Sequence, residues 1–503
     1  MESKAHETTP VFDVLIVGGG INGVGIARDA AGRGLSTLLV ERDDLACATS
    51  QWSTKLVHGG LRYLEHYEFR LVAESLAERE VLLSQAPHLI EPLSFVLPHE
   101  PHLRPAWMIR AGLFLYDRLG GRMTLPKSFG VDLRNSKWGA GLQSRLTRGF
   151  VYADARVDDA RLVVMTAMSA RDKGADIRTR TRFERAVRDS GTWRATLVDD
   201  RGVSSDVRAR AIVNAGGPWV ARVLDTIDTL PASARVRHVK GSHIVVPRIH
   251  AEDHAYILQN ADNRIVFAIP YQRHYSLIGT TDVPVDDYER PHISDEETGY
   301  LLELVNRYLA KPVSRKDIVW TYSGVRPLYD DGEANPAAVT RDYVLKLDAG
   351  TDGAQPPVLS IYGGKLTTYR KLAEAAVREL RPHFPAMRAE WTAREPLAGG
   401  DLPGRDRAAY IAGLARRHGS LPEALLSDLV KRHGTLAESI LGDARTPADL
   451  GRTFAEHLTE REVDYMRRNE WARSADDVLW RRTKCGLGAT ADQRNALRAY
   501  FGE

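Results

Sequence analysis

Gly18, Gly20 and Gly23 are the first residues of this 503-residue chain whose spacing can do chemistry through the backbone. They stand between a β-branched apolar run, Phe12-Asp13-Val14-Leu15-Ile16-Val17, and a segment with helical spacing at 22–32. Glycines there permit a tight turn and let backbone N–H groups reach a pyrophosphate at the positive end of the helix. Glu41 closes the next strand-like run, 36–41, where a carboxylate can accept hydrogen bonds from ribose hydroxyls. The pattern predicts a dinucleotide site and leaves NAD and FAD both open; the glycines alone would also suit a turn in an α/β protein without cofactor. Two histidines, His243 in Lys240-Gly241-Ser242-His243 and His58 before Gly59-Gly60, are the groups able to exchange a proton near neutral pH. Either would equally serve as a hydrogen-bonded histidine of the core. The two cysteines, Cys47 and Cys485, lie near opposite ends, which rules out a disulfide framework and a CxxC metal site. Cys47 is expected to be inert, and no metal site is predicted.

The elements that must hold these residues follow from periodicity. A buried parallel strand, a glycine turn, a helix and a second strand form a βαβ unit over 12–41. Helices are predicted at 68–84, 158–173 and 296–310, and a strand at 210–213 before Ala215-Gly216-Gly217-Pro218. Strand-like runs dominate 236–281, with further extended stretches at 317–325 and 343–347. The opening device then recurs: strand 358–362, Gly363-Gly364, helix. Beyond Gly400, Arg, Ala, Leu and Glu recur at helical spacing. The fold class is therefore α/β: a discontinuous dinucleotide-binding Rossmann-like domain (11–95, 145–235, 350–390), an inserted antiparallel-sheet domain expected to hold the substrate (96–144, 236–349) and an all-helical C-terminal cap (396–503). Hydrophobic residues at 43% and charged residues at 27% are globular proportions and exclude a disordered, collagenous or coiled-coil chain. With 69 basic and 66 acidic residues the net charge is only +3, so no nucleic-acid partner is expected.

Two later segments favour FAD over NAD. Ala211 to Trp219 resembles the second glycine turn of the FAD-dependent amine and hydroxy-acid oxidoreductases, and Gly363-Gly364-Lys365-Leu366-Thr367-Thr368 resembles their late motif beside the flavin. The stretch 44–64, its continuation to residue 72, Lys240 to Pro247, Ile278-Gly279-Thr280-Thr281-Asp282, Trp320 to Pro327, Thr340-Arg341-Asp342-Tyr343 and Trp480-Arg481-Arg482-Thr483-Lys484 are similar to the bacterial, quinone-linked glycerol-3-phosphate dehydrogenases of that family. The resemblance spans essentially the whole chain. Gln51-Trp52 departs from it, bulky where small residues are expected. It implies oxidation of sn-glycerol 3-phosphate at C2 to dihydroxyacetone phosphate by hydride transfer to noncovalent FAD, with electrons passing to ubiquinone or menaquinone. It also implies that Arg62, Tyr63, Arg341 and Lys365 anchor the substrate phosphate, that Arg326 polarises the reacting oxygen, and that His243, or second His58, takes the proton. Gly18, Gly20, Gly23, Glu41, Ser50, Ser53, Thr54, Gly216, Gly363, Gly364, Leu366 and Thr367 are the implied cofactor contacts. For the cations, ordinary surface ion pairs are the competing explanation.

A quinone resides in lipid, so its reductase must reach the bilayer. No apolar run is long enough to span one. The segment 102–118 mixes Trp107, Met108, Phe114 and Leu115 with arginines, as an interfacial helix does, although a core helix would be nearly as apolar. A second candidate is the basic helix at 365–381. Residues 1–10 lack the apolar centre of a signal peptide, which predicts a cytoplasmic protein attached peripherally to the inner face of the membrane. A homodimer is left open. The rival functions are an oxidase that passes electrons to oxygen and, in another class, a flavin-binding membrane adaptor or sensor without turnover.

Overall fold

The computed structural model describes residues 10–101, 103–228, 236–260, 264–330, 342–350, 353 and 355–503. Its first sheet has eight strands, and five of them are parallel neighbours in the order Val358–Tyr362, Ser204–Asn214, Val11–Val17, Thr37–Val40, Asp176–Arg178. Val14, Leu15, Ile16 and Val17 are all buried, because both faces of the sheet are covered. The helices Ile21–Gly32, Asp159–Asp172 and Tyr369–Glu379 pack on one face, around Val14, Ile16 and Leu39. The hairpin Thr181–Asp189/Thr192–Asp199 covers the other, with the fully buried Trp193 among Leu15, Leu38 and Ile212. Asp158 caps the second of those helices by accepting from the Arg161 N–H, which satisfies one of the donors that a helix start leaves free.

The second sheet has ten strands. Its path runs Val283–Pro284, Val236–Pro247, Tyr275–Gly279, Ile265–Tyr271, His254–Gln259, Ile90–Pro98, Arg148–Val157, Leu56–Val57, with Trp320–Tyr329 and Phe129–Asp132 joined alongside. The pairing is antiparallel except between His254–Gln259 and Ile90–Pro98. The helix Asp295–Asn306 covers one face through Leu301, Leu304 and Val305. Phe69–Gln85 and Ala106–Leu119 cover the other through Val72, Leu76, Leu113 and Tyr116.

The sequence boundaries at 95/96 and 144/145 differ from this arrangement. Ile90–Pro98 pairs along its whole length with Arg148–Val157 inside the second sheet. Hydrophobic alternation reveals a strand but not which sheet will receive it: the boundary at 95/96 cuts Ile90–Pro98, and the one at 144/145 leaves Arg148–Val157 whole but on the side of the first sheet. The C-terminal unit is helical apart from a ribbon, Thr453–Ala455 with Leu458–Thr459. It is fastened to the first domain by a buried pair, Arg161 Nη1 to Glu470 Oε2 at 2.5 Å, and by Arg481 and Arg482 on the buried Asp44.

Candidate active site

The three glycine turns lie at the carboxyl ends of adjacent parallel strands, the place where open α/β sheets bind ligands. Close backbone approach dictates the glycines. A Cβ on Gly18, whose φ is +112°, would lie 2.6 Å from Ala215 O, and one on Gly23 would lie 1.9 Å from Gly18 O. Gly20 precedes the helix Ile21–Gly32, where Ser50 Oγ accepts from the Ile21 N–H at 3.0 Å. Glu41 accepts from the N–H groups of Gly19 at 2.7 Å and Asp43 at 2.9 Å, so its carboxylate fixes the turn from the neighbouring strand. Burial lifts its pKa, and the two N–H bonds oppose the lift. Gly216 donates to Asn214 Oδ1 at 3.2 Å. Gly363 and Gly364 have φ of +70° and +95°, and Asn22 Nδ2 donates to Gly363 O at 3.1 Å, tying the late turn to the start of the first helix. Leu366 packs on the first core, and Thr367 Oγ1 bonds to the N–H of His58 at 3.3 Å.

These residues fit a dinucleotide cofactor. The first helix carries no acidic residue in its first turn, its free N–H groups open on the glycine cradle, and Asn22 Oδ1 is buried without a hydrogen-bond partner among the described residues. Cys47 lies 3.9 Å from Glu41 Oε1, and burial raises its thiol well above the usual value, as expected of an inert packed cysteine.

On the second sheet, His243 is buried and its Nε2 lies 3.0 Å from Thr54 Oγ1. Its ring stacks on Tyr322 with centroids 4.7 Å apart. Burial, then the charges of Lys55 and Arg326, hold its pKa well below the ordinary value, so at neutral pH the imidazole is uncharged and able to accept a proton. His58 is half-buried and likewise lowered by burial, against the pull of Asp154. Lys365 Nζ sits 4.0 Å from the ring centroid of Tyr63, and it is buried with no hydrogen-bond acceptor among the described residues. A buried ammonium without an acceptor is costly unless an anion arrives. Arg62 precedes Tyr63 in the turn Leu61–His66 and is half-buried.

The remaining expected residues have partners of their own or lie outside the described residues. Arg326 is 40% exposed and ion-paired with Asp282. The Ser53 hydroxyl donates to Asp159 Oδ2 at 2.7 Å, joining Lys55 Nζ on the same oxygen at 2.8 Å, so it braces the loop. The Thr54 hydroxyl faces His243. Arg341 lies outside the described residues. The sequence reading missed the Lys55–Asp159 pair, which has no motif, and the packing of Trp52 against Tyr322 at 5.4 Å, whose one signal was the unexpected bulk at that position.

The family model described as FAD dependent oxidoreductase matches residues 13–404. The chain belongs to that family. A second model, the C-terminal domain of alpha-glycerophosphate oxidase, matches residues 360–501. This FAD-dependent oxidoreductase is 52% identical to a glycerol-3-phosphate dehydrogenase of Pseudomonas aeruginosa, over 99% of the chain and 97% of that protein. It is 47% identical to a D-erythritol 1-phosphate dehydrogenase of Brucella abortus, over 97% of each. In fold it resembles the glycerol-3-phosphate dehydrogenase of Bacillus halodurans solved with FAD, with a TM-score of 0.73, 24% identity and coverage of 99% and 94%.

Proposed function

We propose that this FAD enzyme oxidises the C2 hydroxyl of sn-glycerol 3-phosphate to dihydroxyacetone phosphate and delivers the electrons to a membrane quinone, ubiquinone or menaquinone. The observation that carries it is the buried ammonium of Lys365 over the Tyr63 ring, without a hydrogen-bond acceptor among the described residues. That seat suits a phosphate: Lys365 supplies a point charge and Arg62 a planar fork able to form two parallel hydrogen bonds. Arg341 is a further phosphate ligand in this proposal. FAD, when bound, supplies the acceptor for the hydride. Neutral His243 takes the hydroxyl proton, Thr54 holds its Nε2, and Arg326 exchanges Asp282 for the substrate oxygen. His58 is the second choice of base, its ring lowered in the same sense.

The exit of electrons to lipid is supported by the helix Ala106–Leu119. Trp107 is 70% exposed and Phe114 52%, with Met108 and Leu115 beside them and Arg118 lying over Phe114. An exposed apolar face edged by arginines fits the headgroup boundary of an anionic bilayer. No helix of the described residues is long and apolar enough to cross a membrane. The second basic helix does not offer such a face: Arg370 is buried on Glu78 and Glu374, and Leu372, Ala376 and Val377 enter the core. We place the enzyme on the inner face of the cytoplasmic membrane.

The relative named for D-erythritol 1-phosphate favours a second reading, a four-carbon polyol phosphate. Both esters present the same dianion to Lys365, so chain length decides between them. Initial rates with each ester, measured as reduction of a soluble quinone and as peroxide released, test the proposal. It expects the higher kcat/KM for glycerol 3-phosphate and quinone reduction far in excess of peroxide. Preference for the erythritol ester, or stoichiometric peroxide, would contradict it.

A further inference from the structure

The segment Trp480-Arg481-Arg482 has no place in the chemistry above, yet it reaches from the C-terminal unit to the candidate active site. Trp480 stacks on Trp320 with centroids 5.1 Å apart and planes inclined by 21°. Trp320 lies 5.1 Å from Tyr322, and Tyr322 stacks on His243 at 4.7 Å. Trp52 flanks the row, 5.8 Å from Trp320 and 5.4 Å from Tyr322. Glycines make the room. A Cβ on Gly486 would lie 2.7 Å from the Trp480 ring, one on Gly324 2.8 Å from Trp52 Cβ, and one on Gly279 2.1 Å from the His243 ring. The far end is held firmly: Trp480 lies in a π-helical turn, Asp477–Arg482, whose Arg481 and Arg482 both grip Asp44. Such turns recur at functional sites.

We propose that Trp480 is a positioning residue: seated on Trp320, it closes an aromatic stack that fixes the His243 ring and excludes water from it, so that proton transfer depends on the docked C-terminal unit. This rests on His243 as the proton acceptor. The charged and titratable groups around that ring are Lys55, held by Asp159, Arg326, held by Asp282, and the Tyr322 phenol. Among the described residues none of them makes a ring contact or hydrogen bond to the Trp480 side chain, so removing the indole changes solvent access and leaves those charges in place.

The test is the pH profile of kcat/KM in holoenzymes whose FAD content has been measured. Trp480→Ala should lower kcat/KM by about tenfold at neutral pH. Water reaching His243 should let its pKa rise toward the ordinary value, moving the acid limb up by about one pH unit. Trp480→Phe should restore both, and Gly486→Ala, which displaces the indole, should reproduce the shift. Should Trp480→Ala lose its FAD, Gly486→Ala and Trp480→Leu carry the comparison. An acid limb that disappears in His243→Asn but stays in place in the Trp480 and Gly486 variants overturns the stack alone. A limb retained in His243→Asn removes the proton acceptor, and the positioning role with it.

Discussion

At the scale of residues, the site separates groups held by the protein from groups left for a ligand. Glu41 is held: it accepts two backbone N–H bonds across the first glycine turn. Glu41→Ala should weaken FAD binding by about tenfold, as the loss of charged hydrogen bonds predicts, and titration of the apoprotein with FAD measures it. Unchanged affinity would exclude the carboxylate from the cofactor site. Lys365 has no hydrogen-bond acceptor among the described residues, which is why the proposal gives it the substrate phosphate. Lys365→Met removes the charge at similar length and should raise KM for glycerol 3-phosphate by about a hundredfold while FAD content stays intact. Arg326 is paired with Asp282 on the surface of the site, so Arg326→Ala should lower kcat by about a hundredfold with little effect on FAD content. Equal loss of turnover and flavin would assign Arg326 to folding instead. The glycines could be read from the sequence because close backbone approach demands that residue type, and Glu41 and His243 were singled out because ribose binding and proton exchange each call for one. The attachment of Ser53 and Lys55 to Asp159 could not, since it joins side chains about a hundred positions apart that carry no shared pattern.

At the scale of elements, local chemistry was legible and pairing was not. The strand Val358–Tyr362 falls where its apolar run and following glycines place it, and the helix Phe69–Gln85 lies one residue from its predicted span. The helix after Gly364 begins later than its composition suggests, because Leu366–Thr368 forms a tighter 3-10 turn first. The strand Arg148–Val157 was beyond local reasoning: besides the preceding strand Phe129–Asp132 its partners are Ile90–Pro98 and Leu56–Val57, distant in sequence and chosen by tertiary packing. The helix Ala106–Leu119 exposes a face that the core leaves uncovered. Replacing Trp107 and Phe114 together with Ser should reduce binding to anionic liposomes by about tenfold or more, measured by cosedimentation, without changing turnover on a soluble quinone. Undiminished binding would place the membrane contact elsewhere.

At the scale of the whole molecule, buried ion pairs hold the C-terminal unit to the rest. Arg161, Glu470 and His433 meet in one cluster, and Asp477 joins Arg180 and Arg481 in another. Arginine charges pull the Asp477 pKa down to about 2 against the opposing effect of burial, and Glu470 is lowered in the same direction. A carboxylate depressed by folding stabilises the native state above its unfolded pKa and ceases to do so as pH falls through the folded one. The melting temperature should therefore drop between about pH 4 and pH 2. In Asp477→Asn the protein should be less stable at neutral pH and the acid slope shallower; an unchanged slope would show that the cluster adds nothing to docking. The central claim is that one pocket brings a phosphate-bearing alcohol to bound flavin. Purified holoenzyme mixed without oxygen with sn-glycerol 3-phosphate should lose its visible flavin absorbance, and glycerol without the phosphate should leave it unchanged. A flavin spectrum that stays oxidised with the phosphoester would contradict the account.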